Sequence, residues 1–346
     1  MKILILGDGI VDYYQFCHAT RLCPEAPCPV LVCDKEYATA GGAGLVDAQL
    51  VELQANCIYV PGSHSRKFRV FAGSHLICRI DDDAKTSTLP EDMSLLDWAD
   101  AIVVSDYGKG AVTPALAEKI IKTDKPVFVD AKNHWRWYAW PTVTVFPNEH
   151  EVIGCVDDYK RIVWKRGAKG CEMWSVNILD KIAIPATVSE VVDVTGAGDT
   201  FMASFVWGWT LQLPPEDCLR LANALAGEAC KHLGTYVVPR QFAQAELDRL
   251  RASRESAQPS LGNSPDSTMS ALLQQQSPYP WNASISEIEN SPVPDCTGVR
   301  VNQEVIRDSL RHAQTLPELP SVPIVPTDAP LPSDQESSDE QDRRLR

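Results

Sequence analysis

The chain has 346 residues, 44 % hydrophobic and 23 % charged, which suits a soluble globular protein with one or two ordinary cores. Its formal charge of −14 argues against a nucleic-acid partner, because phosphate backbones are bound through a Lys/Arg surplus. No apolar run approaches the roughly 18 residues of a membrane span, and the short run at 3–6 ends at Gly7-Asp8, too soon for a signal peptide. The expectation is a cytoplasmic protein with no membrane partner.

In chain order, 2–6 reads as a buried strand closing on Gly7-Asp8. Residues 28–36 read as extended chain, and 66–70 with 75–80 flank an Ala72-Gly73 turn as a hairpin, so the two stretches predict a small β-lid. Strands follow at 101–105 and 126–130 with a helix at 113–122 between them, then a strand at 142–146. Strands alternating with helices predict an α/β fold, a mostly parallel sheet covered on both faces. Four strand ends are polar: Gly7-Asp8, Ser105-Asp106, Asp130 and Asn148. Ligands of open α/β sheets sit at the carboxyl ends of strands, so these junctions are expected to face one crevice.

Eleven cysteines run from Cys17 to Cys296 without a C-x-x-C or a Cys/His cluster at zinc spacing, and read as reduced thiols. Pro24, Pro27 and Pro29 are expected to hold Cys23, Cys28 and Cys33 on extended chain, splaying them rather than converging them on a metal. From residue 255 on, 12 of the 25 prolines, 6 Arg, 14 Asp and Glu and no Lys predict a disordered acidic tail rich in Pro and Ser, with a transient helix at 302–313.

The most informative stretch is D-V-T-G-A-G-D-T-F at 193–201, followed by an apolar segment at 202–211 that reads as a buried helix. Gly196, Ala197 and Gly198 at a turn into a helix let N–H groups converge where orphan donors and the helix dipole favour an anion. A carboxylate there would repel a resting phosphate. Asp199 therefore fits a base that takes a proton from an attacking hydroxyl while the anion hole stabilises the transferred phosphoryl. Taken alone, the turn fits equally a tight turn with Asp199 as helix N-cap.

The segment resembles the C-terminal signature of the ribokinase-like (PfkB) carbohydrate kinases. The resemblance covers about residues 1–242 and implies a ribokinase-like three-layer domain over 1–250 with a reduced lid, the tail at 255–346, and ATP and Mg²⁺ as cofactors. It implies acceptor contacts at Asp12 and at the Gly41-Gly42 turn. Asn148 with Glu151 matches an N-x-x-E element linked to Mg²⁺ and phosphate positioning, with Glu151 acting indirectly on the metal. Arg166, Gly167 and Gly170 resemble the glycine turn near the nucleotide, Asn223 the helix bordering adenine, and Thr195 falls in the signature itself. Within the family, 24–30, 67–81, 105–110 and 130–132 are similar to the kinase domain of heptose 7-phosphate kinases of ADP-heptose synthesis. That likeness implies a sugar-phosphate acceptor, for which Lys67, Arg69, Lys109 and Lys132 are candidate phosphate ligands.

The chain departs from this pattern in four places. Leu45 follows the glycine pair where the family has Asn, and Lys165 stands where Thr is common. The stretch between Tyr59 and Lys67 is shortened by a helix and strand, and a second helix is missing between Glu151 and Arg161. The losses touch the lid more than the phosphate end. Two other classes therefore stay open, a nucleotide or sugar-phosphate binding protein without turnover and an interaction protein acting through its tail. A homodimer paired through the lid is a further expectation.

Overall fold

The computed structural model describes residues 1–83, 88–90, 94–140, 142–151, 159, 161–175, 178–188 and 190–257. In chain order the elements are β1 (Lys2–Leu22), β2 (Pro29–Gly42), α1 (Ala43–Glu52), β3 (Asn56–Ala72), β4 (His75–Asp82), α2 (Leu95–Trp98), β5 (Ala101–Asp106), α3 (Pro114–Ile121) and β6 (Val127–Ala131). There follow β7 (Val143–Val145), β8 (Arg161–Lys165), β9 (Cys171–Ser175), β10 (Ile178–Ile184), α4 (Ala197–Thr210), α5 (Pro215–Ala229) and α6 (Arg240–Ala257).

The strands form one sheet in the order β10-β9-β8-β7-β6-β5-β1-β3-β4, with β2 paired to β1 beside this path. From β8 to β3 the pairs of the main sheet are parallel. Period-two alternation sorts their side chains onto two faces. Ile3, Ile5, Val103 and Phe128 pack beneath α1, α4 and α5, whereas Leu4, Leu6, Ile102, Val104, Val127 and Val129 meet α3 on the other side. The architecture is the expected α/β arrangement of helices on both faces. Helix α4 is apolar all round because it lies between the sheet and α5: Phe201, Met202, Phe205, Val206, Trp207 and Trp209 are all buried. Each such side chain contributes about 1.5–3 kcal/mol.

Two readings of the sequence are corrected. The first strand does not stop at Gly7-Asp8 but continues to Leu22. Gly7, at φ 144°, passes against the Ser105 carbonyl where a Cβ could not fit, and the β1–β3 register slips between Gly7 and Gly9. Beyond that bend β1 leaves the core and becomes the spine of the lid, antiparallel to β2 and parallel to β3. The second correction concerns 24–27, which do not run extended. Cys23 N–H donates to the Cys28 carbonyl at 2.8 Å, closing a loop between β1 and β2.

The lid hairpin is present as β3 and β4, turning at Gly73 with φ 61°. Because little chain separates Tyr59 from Lys67, β3 runs without interruption from the main sheet into the lid. Stacked aromatic pairs stiffen this extension: Tyr13–Phe68 at 4.7 Å, Tyr14–Tyr37 at 5.1 Å and Phe16–Phe71 at 5.2 Å. Helix α6 carries the chain past residue 250 to Ala257. The expected tail and its helix at 302–313 lie outside the described residues, as does most of the stretch between Glu151 and Arg161. Among the described residues no helix is long and apolar enough to cross a membrane.

Candidate active site

Gly196 is the N-cap of α4, with a left-handed φ of 78° that favours glycine. A Cβ there would lie 2.5 Å from Leu45 Cδ2 and 2.9 Å from Thr235 Cγ2. The turn is tied down by Asp193, whose Oδ1 accepts from Thr195 N–H (2.9 Å) and hydroxyl (2.7 Å) and whose Oδ2 accepts from Gly234 N–H (2.9 Å). Asp199 therefore stands three residues into α4 and is not its N-cap. The N–H of Ala197 is shared with the turn, donating to the Val194 carbonyl at 3.2 Å. That of Gly198 lies in the first turn, where the helix supplies no acceptor.

Asp199 is 2 % exposed. Its Oδ2 accepts from the Tyr107 hydroxyl at 2.8 Å, and among the described residues its Oδ1 has no hydrogen-bond partner. Burial, reinforced by the charge of Asp130, pushes its carboxyl up to about 6 against the pull of Lys132, the Tyr107 hydroxyl and Lys165. A carboxylate with that affinity can hold and release a proton near neutrality.

Beside it, Asp130 at the end of β6 is paired with Lys165 and lies 3.4 Å from Lys132 Nζ. Burial alone would raise the Asp130 carboxyl, but Lys165 and Lys132 hold it below the ordinary carboxylate range. Lys165 Nζ is 3.1 Å from where a Cβ on Gly198 would sit, which puts an ammonium at the mouth of the glycine turn. Lys132 reaches on to Glu151 Oε1 at 2.9 Å. Glu151 also accepts from Asn148, through N–H at 2.9 Å and Nδ2 at 2.7 Å, and Asn148 bridges to Lys165 along β8. Burial opposes the charge on Lys132, yet Asp130, Glu151 and Asp199 raise its affinity for the proton well above the ordinary lysine value. Both Glu151 oxygens are already engaged, a donor set that fits reaching Mg²⁺ through water rather than binding it directly.

On the lid side, Asp12 is 3 % exposed and pairs with Arg69 at 2.5 Å. Gly41 packs against the Asp12 carboxylate so closely that a Cβ would clash, and Gly42, at φ 57°, caps α1. Leu45 on α1 then touches Gly196, so the two glycine turns meet across one leucine. Lys67 Nζ lies 5.6 Å from the centre of the Tyr107 ring. Burial lowers the affinity of Lys67 for its proton, partly offset by Asp12. Lys109 is turned to Asp83 at 2.5 Å, while its N–H, with that of Tyr107, is held by the buried Asp8. Lys67 and Lys132 thus face one aromatic ring, while Lys132, like Arg69 and Lys109, is also paired with a carboxylate.

The expected nucleotide residues are more scattered. Arg166 is paired with Glu172 and lies 3.4 Å from Glu149. Gly167 opens a short turn of 3₁₀ helix (Gly167–Lys169). Gly170, at φ 88°, lets the chain pass the Ile184 carbonyl, so a strand contact alone accounts for it. Asn223 Nδ2 donates to the Pro185 carbonyl at 2.8 Å. Only Thr195 and Asn148 of this group join the cluster around Asp199. Conversely, the Tyr107 hydroxyl was not singled out, and Asp130 and Lys165 were read only as a polar strand end and as a departure from the family, yet all three face Asp199. Their signal in the sequence is position, since each stands at or just beyond the polar end of a parallel strand.

Residues 141–241 match the family described as pfkB family carbohydrate kinase. That match spans 101 of the chain's 346 residues. The bifunctional protein HldE of Granulibacter bethesdensis is 29 % identical over 323 positions, covering 74 % of this chain and 66 % of its own. The HldE protein of Wolinella succinogenes is 27 % identical over 292 positions, covering 67 % and 62 %. The chain thus spans less than two thirds of the length of these curated relatives. Among solved structures, Arabidopsis thaliana ribokinase complexed with ribose and ATP superposes with a TM-score of 0.55 at 18 % identity, over 71 % of this chain and 98 % of that one. Escherichia coli phosphofructokinase-2 in complex with fructose-6-phosphate gives 0.54 at 15 %, over 72 % and 99 %. These two carry the fold, which is ribokinase-like.

Proposed function

We propose that this protein transfers the γ-phosphoryl group of ATP to a hydroxyl of a sugar phosphate, with Asp199 as base and a heptose 7-phosphate as the acceptor class. The observation that carries the reading is the buried, unpartnered Oδ1 of Asp199 in the first turn of α4, next to the Gly198 N–H. The acceptor hydroxyl gives its proton to Oδ1 as its oxygen bonds to the γ-phosphorus, and the bond from that phosphorus to the bridging oxygen breaks to leave ADP. Gly196, Ala197, Gly198 and Lys165 hold the charge on the moving phosphoryl group. Asn148 and Glu151 would hold the Mg²⁺ indirectly, Glu151 through water, and the ion would supply charge neutralisation along the triphosphate. Arg166, Gly167, Gly170, Thr195 and Asn223 border the nucleotide.

Asp12 and the Gly41-Gly42 turn orient the acceptor, and Lys67 and Lys132 take its phosphate, with Arg69 and Lys109 behind them. The alignments support an acceptor site built from fewer residues. The Wolinella alignment runs over 292 positions yet includes 67 % of 346 residues, so dozens of positions are filled by the relative alone. Leu22, Val32, Leu76, Ile77 and Ile80 stand exposed on the lid, and β4 is an edge strand, which supports pairing of two copies there. The test is ADP release with ATP and Mg²⁺ over heptose 7-phosphate, fructose 6-phosphate, ribose and adenosine. Preference for heptose 7-phosphate is expected. No turnover with any of them, together with a melting shift on adding ATP, would favour a binding protein instead.

A further inference from the structure

Asp199 carries an asymmetric carboxylate. Its Oδ2 receives the Tyr107 hydroxyl at 2.8 Å, while Oδ1 is buried without a donor among the described residues. Native proteins keep few such atoms, because a buried acceptor that lost its water is costly until something donates to it. The missing donor at Oδ1 is what an acceptor hydroxyl would provide.

Tyr107 is fixed from its backbone and across its ring. Its N–H donates to Asp8 Oδ2 at 2.8 Å, the next N–H, of Gly108, to Asp106 Oδ1 at 2.9 Å, and that of Lys109 to Asp8 Oδ2 at 3.1 Å. Asp8 and Asp106 are themselves at most 1 % exposed. Lys132 Nζ lies 5.0 Å and Lys67 Nζ 5.6 Å from the ring centre, within cation–π range. A loop held this firmly can set the direction of a hydroxyl, not merely fill space.

Building on the kinase reading, we infer that Tyr107 is a positioning residue: its hydroxyl holds Oδ2 of Asp199 so that Oδ1 faces the acceptor and takes its proton. Tyr107 keeps its own proton throughout, since burial and the neighbouring Asp199 charge push its hydroxyl well above the ordinary tyrosine value. The charged groups facing Asp199 are Asp130 from β6, Lys132 just after it and Lys165 from β8. Tyr107→Phe leaves all three in place, keeps the ring beneath the lysines and removes one donor that favours the ionised carboxylate.

The test compares wild type, Tyr107→Phe and Asp199→Asn as full chains. For Tyr107→Phe we expect kcat to fall about tenfold or more, KM for ATP to hold, and the acidic limb of kcat/KM to move to higher pH. A lower melting temperature with an unmoved pH profile would reduce Tyr107 to a structural residue and overturn the inference. A second measurement does not need turnover. Titration of ¹³C-labelled aspartate carboxyls, with Asp199 assigned by its absence in Asp199→Asn, should give a wild-type midpoint near about 6 and a higher one in Tyr107→Phe. Equal midpoints would overturn the inference whether or not any sugar is phosphorylated. A shifted midpoint in a chain that phosphorylates none would remove the kinase reading and the catalytic role with it.

Discussion

Lys165 and Asp130 form a buried pair beside Asp199 and act on it with opposite sign: Asp130 raises the Asp199 carboxyl and Lys165 lowers it. Replacing Lys165 by Met leaves the Asp130 charge uncompensated on that side, and Asp130→Asn leaves the ammonium. At an effective dielectric of about 20, a unit charge within about 10 Å is worth on the order of 2 kcal/mol. With Lys132 still 3.4 Å from Asp130 part of this is cancelled, leaving roughly one pH unit at about 1.4 kcal/mol per unit. A base is useless while protonated, so kcat/KM rises with pH through its pKa. Lys165→Met should therefore move the acidic limb up from about 6, and Asp130→Asn should move it down. Stopped-time ADP release between pH 5 and 9 reads both. Lys165→Met should also cost about 1–3 kcal/mol of stability, less than the 3–5 of a fully orphaned buried charge, because Lys132 remains. Limbs that shift in the same direction, or do not move, would refute the electrostatic account of this site.

Two further predictions concern stability. Asp199 has its folded pKa raised to about 6 from an ordinary 3.8, so the folded state binds the extra proton between those values and loses stability as pH climbs through them. Asp199→Asn escapes that loss and should be more stable than wild type by on the order of 2–3 kcal/mol at pH 8, the gap shrinking towards pH 4, as followed by urea unfolding at each pH. Gly196→Ala would force a Cβ into φ 78° and onto Leu45 Cδ2. It should cost about 2–4 kcal/mol and abolish turnover, with part of the stability recovered in a Leu45→Ala background by the same unfolding measurement.

The glycine turn leading into α4 was legible because it is local. In 193–201 the glycines, the carboxylate and the following apolar helix are contiguous, and Thr113 with Pro114 mark the start of α3 just as plainly, Thr113 Oγ1 accepting from Leu116 N–H at 3.1 Å. The polar ends at Asp106 and Asp130 could be placed side by side because neighbouring parallel strands align their carboxyl ends. What escaped depends on long-range partners. Gly7-Asp8-Gly9 looks like the end of a strand, and only pairing with β2 and the uninterrupted β3 carries β1 on to Leu22. Tyr107 and Asp199 are 92 residues apart, and Lys165 and Asp130 are 35 apart. No spacing rule connects such pairs. Gly170 also has a packing reason that the sequence does not show, since a Cβ there would run into the Ile184 carbonyl.

The central claim, that Asp199 is the base of a phosphoryl transfer, is tested most directly by ADP release from wild type and Asp199→Asn side by side, with ATP, Mg²⁺ and the best acceptor of the sugar panel. Wild type should turn over and Asp199→Asn should fall by at least about a thousandfold, while both show the same melting shift on adding ATP. A near-normal rate in Asp199→Asn would contradict the account.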